Sequence, residues 1–410
     1  MFVLTACGDV IKTTADSGVT VSDTASDDAG TWLPTVPPVT NGQAADLAVD
    51  QTDLVARTPG TAADKTMSSG GLCAAGEYLW ISDFALSRSR VLQYNAPPTV
   101  FSSNADIVLG QPTATSTDEG PTRSVFAVGS FSDGSGDVAC DGERVVVSDM
   151  TANRVLIYNA IPNTNGPTWD VVLGQTTATG ATAETSASGL RSPQGVWTDG
   201  QRLIVADTGN HRVLIWNTFP TTNKAPADVV LGQTSFNVAE NPSPPTASSM
   251  NQPRDVFFDG ERLYVSDSMN HRVMGWNGIP TQNNQPADFF VGQSGGASGT
   301  ANAGAGSQSP NAVGLQVPGE ITVAHGSLFI TDMVNFRIVV HTPRPTTSGE
   351  AADAVLGNTD LMGGEVASEH QLWPRGLVVQ GDKLFVSDSS LPIGQSRVLR
   401  YQLSNISPDT

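Results

Sequence analysis

The segment RLIVADTGNHRVLIWNTFPTTNKAPADVVLGQ (202–233) recurs along the chain, and this periodicity limits what the chain can fold into. Close copies occupy 144–175 and 262–293, looser ones 327–358 and 78–111, and a shortened one 383–403. An Asp recurs in all six, as Asp83, Asp149, Asp207, Asp267, Asp332 and Asp388. So does an Arg, as Arg90, Arg154, Arg212, Arg272, Arg337 and Arg397. Each copy holds short apolar runs bounded by Gly, Asn, Asp and Pro, the mark of strands. In the third copy these are GVWTD (195–199), RLIVAD, RVLIWN and DVVLG, strands a to d. Four-stranded units repeated around an axis are β-propeller blades. The sixth copy stops after strand c, while AADLAVDQT (44–52) near the other end matches PADVVLGQT (226–234). The expected fold is therefore all-β: a six-bladed β-propeller with residues 45–50 as the outer strand of the last blade. That arrangement closes the ring and removes an edge. Residues 41–405 would form this single domain.

Pro193-Gln194-Gly195-Val196 and the run Asp207 to Val213 resemble the NHL repeat, with its P-x-G-V strand and D-x-x-N-x-R-V hairpin. The resemblance implies the same six-bladed form. Successive Asp residues lie 56 to 66 positions apart, a long period that implies extended connectors. An active site is normally unique, whereas a structural device repeats with the architecture. The Asp–Arg pairs are thus expected to be hairpin clasps that also touch the next blade, held by charge-assisted hydrogen bonds. His211 and His271 appear in only two copies and read as packing or hydrogen-bonding turn residues. Trp216, Trp276 and Tyr158 should pack between blades.

Function is sought where the copies differ. The b–c turn is enlarged at 84–89 and 389–396, in blades that become neighbours on ring closure. The crossovers 112–135, 234–250 and 294–314 are long and unalike. Long loops on one face of a rigid scaffold are where binding is usually built; disordered insertions are the plain alternative. At the start of strand a, the Gly of the pattern is replaced by Asp137, Asp255 and Glu320, and Gln194, Arg254 and Arg375 stand one position earlier. These six side chains mark a candidate site at the mouth of the central channel. The three carboxylates would suit a hard cation such as calcium. Six-bladed lactonase-like and phosphotriesterase-like hydrolases hold a metal near this place, but the chain lacks their full Glu, Asn and Asp set. The simpler expectation is Arg–carboxylate pairing in a wet channel. DGSGD (133–137) lacks the downstream Glu of an EF-hand loop. His325, His341 and His370 do not match the zinc histidines of NHL-type amidating lyases. There is no G-x-S-x-G or P-loop motif.

The formal net charge of −19, with no basic cluster, argues against nucleic acid and against electrostatic docking on anionic lipid. Cys73 and Cys140 read as small buried apolar residues, with a disulfide between them open for an exported protein. Leu4-Thr5-Ala6-Cys7 resembles the lipobox of bacterial lipoproteins, which implies lipidation of Cys7. Residues 1–7 would be the remnant of a signal peptide that begins upstream, and 8–40 a disordered tether. No stretch after Cys7 approaches 18 apolar residues. The expected location is the bacterial cell envelope, through the lipid anchor, or the extracellular space. The reading favours a monomeric binding or interaction module over an enzyme, without a resident cofactor, presenting a loop-rich face to a protein, peptide or glycan. The competing reading is a metal-dependent hydrolase or lyase with Asp137, Asp255 and Glu320 as ligands.

Overall fold

A computed structural model of the chain describes residues 37–54, 56, 66, 69–85, 88–118, 120, 122, 125, 126, 136–363, 372–390 and 395–404. Cys7, the leader remnant, almost all of the tether and His370 lie outside these residues. The described strands form six sheets of four antiparallel strands each. In strand order a to d, blade 1 is Ser69–Ala75, Tyr78–Ala85, Arg88–Tyr94 and Ile107–Leu109. Blade 2 is Val138–Cys140, Val145–Asp149, Arg154–Tyr158 and Val171–Leu173; blade 3 is Val196–Thr198, Leu203–Asp207, Arg212–Trp216 and Val229–Leu231. Blade 4 is Pro253–Phe258, Leu263–Asp267, Arg272–Trp276 and Phe289–Val291; blade 5 is Pro318–Ala324, Ser327–Asp332, Arg337–His341 and Ala354–Leu356. Blade 6 takes strands a to c from Pro374–Gln380, Lys383–Ser390 and Gln395–Gln402, and strand d from Leu47–Ala48.

The ring closes as the displaced DLAVDQ motif requires. Leu47 pairs with Arg400 and Ala48 with Leu399, and the N–H of Val49 donates to the Val398 carbonyl at 2.8 Å. The same segment reaches blade 5, where Asn41 Oδ1 accepts the Val355 N–H at 2.9 Å. That bond repeats a device found at the other seams. The c–d loop of one blade caps the outer strand of the blade before it, through Asn165 on Val108, Asn223 on Val172, Asn283 on Val230 and Ser348 on Phe290. Outer strands thus have their free N–H groups satisfied by a neighbour instead of offered to another chain. At the remaining seam the Asn is replaced by Phe101, and Ser102 and Ser103 instead donate backbone N–H to the carbonyls of Gln51 and Val49.

The core lies between the sheets. Val146 and Ile157 of blade 2 pack with Val205, Leu214 and Trp216 of blade 3; Ile204 and Ile215 of blade 3 pack with Val265, Met274 and Trp276 of blade 4. Full burial of each such side chain contributes about 1.5–3 kcal/mol, so every blade depends on both neighbours. Blades 1 and 2 are also joined covalently. Cys73 and Cys140 occupy strand a of adjacent blades, their Cα atoms are 6.0 Å apart, and they form a disulfide. The expectation of two merely apolar cysteines is therefore corrected. Their separation of 67 positions is one more than the 66 between Asp83 and Asp149, so Cys140 stands one position further along its strand a than Cys73 does.

Candidate functional site

Strand a begins on the face where the b–c turns lie, because Ser69, Pro253, Pro318 and Pro374 pair with the clasp residues Asp83, Asp267, Asp332 and Asp388. On that face all six Asp–Arg pairs form, with Nε to Oδ2 distances of 2.9 Å (Asp83–Arg90), 2.7 Å (Asp149–Arg154, Asp207–Arg212, Asp267–Arg272), 2.8 Å (Asp332–Arg337) and 2.6 Å (Asp388–Arg397). Asn210, Asn270 and Asn335 donate to the same oxygen in their blades at 2.7–2.8 Å. The other Asp oxygen takes the N–H of Arg191, Asn251, Gln316 or Trp373, which fixes the lead into strand a. The guanidinium holds the crossovers. Arg212 donates to the carbonyls of Phe236 on one side and of Ser186 and Gly189 on the other. In five blades the first of these carbonyls belongs to the residue 24 positions on: Ala114, Ala178, Phe236, Gly296 and Leu361. In blade 6 it is Leu54, at the far end of the chain. Burial pushes the carboxyls of Asp207, Asp267 and Asp332 upward and their Arg partners oppose it.

A second repeated device was legible in every VLGQ motif but had no assigned role. Gln233 Nε2 donates to the carbonyls of His211 and Glu240, and its Oε1 accepts the Glu240 N–H. Gln175 does the same with Asn153 and Thr182, and Gln111 with Ser89 and Asp118. The crossovers 234–250 and 294–314, unlike in sequence, therefore share a fixed opening turn and are ordered. Residues 119, 121, 123–124 and 127–135 of the first crossover lie outside the described residues.

The residue that ends each short b–c turn has left-handed backbone and meets the next blade. Asn153 Oδ1 accepts the Ser192 N–H at 2.8 Å; His211 Nδ1 accepts that of Gln252 and His271 Nδ1 that of Val317, both at 3.1 Å. Phe336 at the same place packs at a tilt against Trp373, with ring centroids 4.4 Å apart.

The candidate residues at strand a do converge. Asp137, Gln194, Arg254, Asp255, Glu320 and Arg375 line one cavity of about 30 Å³ with Met333 and neighbouring glycines. Asp137, Asp255 and Glu320 bring one oxygen each within 4.8 Å of one another. Backbone N–H groups hold the three carboxylates. Asp137 accepts from its own Val138 at 2.7 Å and from Val196 of blade 3 at 2.9 Å. Asp255 accepts from Val256 and from Ile321 of blade 5, both at 2.7 Å, and Glu320 from Leu377 of blade 6. Burial pushes the Asp137 carboxyl up to about 7, against the pull of its two N–H donors. Burial and then the Asp137 charge push Asp255 well above the usual range; burial, Asp137 and Asp255 do the same to Glu320. Oxygen-only donors this close could hold a hard cation or share protons.

The NHL repeat family model matches residues 190–216. The match covers strands a to c of blade 3. Among solved structures, the propeller is similar to the PQQ-bound aldose sugar dehydrogenase of Streptomyces coelicolor, with 14% identity over 90% of this chain and 100% of that one and a TM-score of 0.48. It is also similar to the periplasmic gluconolactonase of Pseudomonas aeruginosa, with 14% identity over 82% and 85% and a TM-score of 0.41. A nidogen/laminin complex matches at 14% identity over 70% and 83%, with a TM-score of 0.37. No curated protein sequence matches the chain.

Proposed function

We propose that this propeller is a binding module that meets a protein, peptide or glycan on the face around the channel mouth. The observation that carries this reading is the relief of that face. In blades 1 and 6 the b–c hairpin continues two residue pairs beyond the Asp–Arg clasp, through Phe84–Ser89 and Ala85–Arg88, and through Ser389–Ser396 and Ser390–Gln395. Two pairs raise a ridge of about 7 Å. In blades 4 and 5 the turns stay short and expose Met269 and Val334, and the crossover beyond exposes Met362. Thr151 and Gly209 stand at the corresponding positions in blades 2 and 3. A ridge facing an apolar, partly Met-lined floor is a surface that can re-pack against a partner. The mouth cavity of about 30 Å³ is far below the roughly 300–1,000 Å³ of small-molecule sites. A ligand would therefore lie across the face and place only a small group in the mouth.

The disulfide between blades 1 and 2 supports an oxidising compartment outside the cytoplasm, which agrees with export to the cell envelope through a lipidated Cys7. The test uses the secreted and envelope fractions together with a glycan array. A Met269→Asp/Val334→Asp/Met362→Asp variant that melts like the parent should lose at least tenfold in binding of whatever the parent retains. Equal binding by parent and variant would reject the face. The second reading, a metal-assisted hydrolase or lyase, is favoured by the three converging oxygens. Elemental analysis and melting with and without chelator decide it; no metal and no shift would end it.

A further inference from the structure

We propose that His211 and His271 form an acid-sensitive latch on two successive blade seams, and that this latch sets the register of the channel mouth. Each imidazole bridges the b–c turn of one blade to the lead into strand a of the next, and each does so as an acceptor. Nδ1 of His211 takes the Gln252 N–H and Nδ1 of His271 takes the Val317 N–H, both at 3.1 Å. An Nδ1 that accepts must be unprotonated, with the ring proton on Nε2. Adding a second proton turns the acceptor into a donor facing a donor, so the bond cannot survive protonation. Gln252 lies two positions before Arg254 and three before Asp255, and Val317 three before Glu320. The strands released are those that carry three of the six mouth residues.

The chain supplies its own control. In blade 2 the same turn position is Asn153, whose Oδ1 accepts the Ser192 N–H at 2.8 Å. That seam has the same latch without a titratable group. Between blades 5 and 6 the position is Phe336, packed on Trp373. Among the described short b–c turns, a titratable ring therefore stands at this position only on the two sides of blade 4. The charged group that bears on His211 is Arg191, from the lead into its own blade, and like burial it disfavours the imidazolium. His271 is held neutral by burial. The clasps beside the two rings, Asp207–Arg212 and Asp267–Arg272, are internally neutralised. On the elements that receive the latch, the nearest charges along the chain are Arg254 and Asp255 for Gln252, and Glu320 for Val317. All the groups involved belong to the propeller itself, so the device operates with or without a ligand on the face.

Nuclear magnetic resonance of the full chain without ligand tests it. The ring signals should titrate with midpoints below 6.5 and show the Nε2–H tautomer at neutral pH. The amide protection factors of Gln252 and Val317, referred to intrinsic exchange at each pH, should fall about tenfold through those midpoints, while that of Ser192 stays constant. In a His211→Asn/His271→Asn variant, built on the blade 2 solution, protection should persist through the same range. Midpoints at or above 6.5, unchanged protection in the parent, or equal acid loss in the Asn variant would each overturn the latch. Should the double variant fold poorly, the tautomer and the joint midpoints of the parent decide alone.

Discussion

Breaking the Cys73–Cys140 bridge should destabilise the propeller through its unfolded state. The bridge closes a loop of 67 positions, and the chain-entropy relation for a loop of that length gives about 4 kcal/mol at 25 °C. Both sulfurs sit in the core cluster between blades 1 and 2, where Cys73 is 8% and Cys140 1% exposed. A Cys73→Ala/Cys140→Ala variant therefore loses little packing and mainly the cross-link. Urea unfolding of parent, reduced parent and double variant measures the effect. The reduced parent and the variant should share a lower midpoint, with a loss of about 2–4 kcal/mol. Their slopes against urea should be steeper, because an uncross-linked denatured chain exposes more surface. Peptide mapping of unreduced protein should find both cysteines unlabelled by alkylating reagent until reductant is added. Equal midpoints for bridged and reduced protein, with the thiols shown to be free, would refute the entropic argument. Labelling of both cysteines before reduction would refute the bridge itself.

Arg272→Ala should cost about 3–5 kcal/mol in chemical unfolding, because it leaves the buried Asp267 carboxylate without its partner. Asp137 holds a proton in the fold up to about pH 7 but ionises near 3.8 when unfolded, so its contribution is full below 3.8 and is lost as pH rises through 7. Asp137→Asn cannot ionise, and its deficit in melting temperature against the parent should be larger at pH 5 than at pH 8. Gln233→Ala removes three bonds that fix the 234–250 crossover; limited proteolysis should cut there faster, with a global loss of about 1–3 kcal/mol.

The blade count and ring closure were readable because one Asp and one Arg survive in every copy, and because DLAVDQ sits where no other strand could claim it. The place of Asp137, Asp255 and Glu320 was readable by counting back from those Asp residues. Their partners were not, because a carboxylate on one blade bonds the N–H of the next, about 60 positions away, and no local pattern marks that register. The disulfide was hidden for the same reason: its spacing of 67 is one position off the repeat of 66 between blades 1 and 2, and only the packed blades bring the two sulfurs together. Gln111, Gln175, Gln233 and Gln293 stood in plain view, yet a polar residue after a strand has many uses until its carbonyl partners are known.

The glycines at the mouth explain why the acids there are not evenly spread. Around the channel the second position of strand a runs Gly71, Asp137, Gly195, Asp255, Glu320, Gly376. A Cβ on Gly71 would sit 1.8 Å from Asp137 Oδ1, and one on Gly195 would sit 2.7 Å from Asp255 Oδ1. The Asp137 side chain occupies the space that Gly71 vacates, whereas at Gly195 the backbone of blade 4 comes closest, with Asp255 Cα 2.5 Å away. A ring of six Asp is thus sterically excluded, although the seam between blades 4 and 5 admits Asp255 and Glu320 in succession. Gly376 is crowded from a different source, with its Cβ position 2.1 Å from the Gly70 carbonyl oxygen, so no acid could stand there either. Asp137 and Asp255 are therefore accounted for as seam staples whose charge is suppressed by burial. Gln194 and Arg375 are bound across seams as well, to Met150 Sδ of blade 2 at 3.6 Å and to Met333 Sδ of blade 5 at 3.4 Å, so the proposed recognition surface narrows to the exposed Met269, Val334 and Met362 beside the ridge.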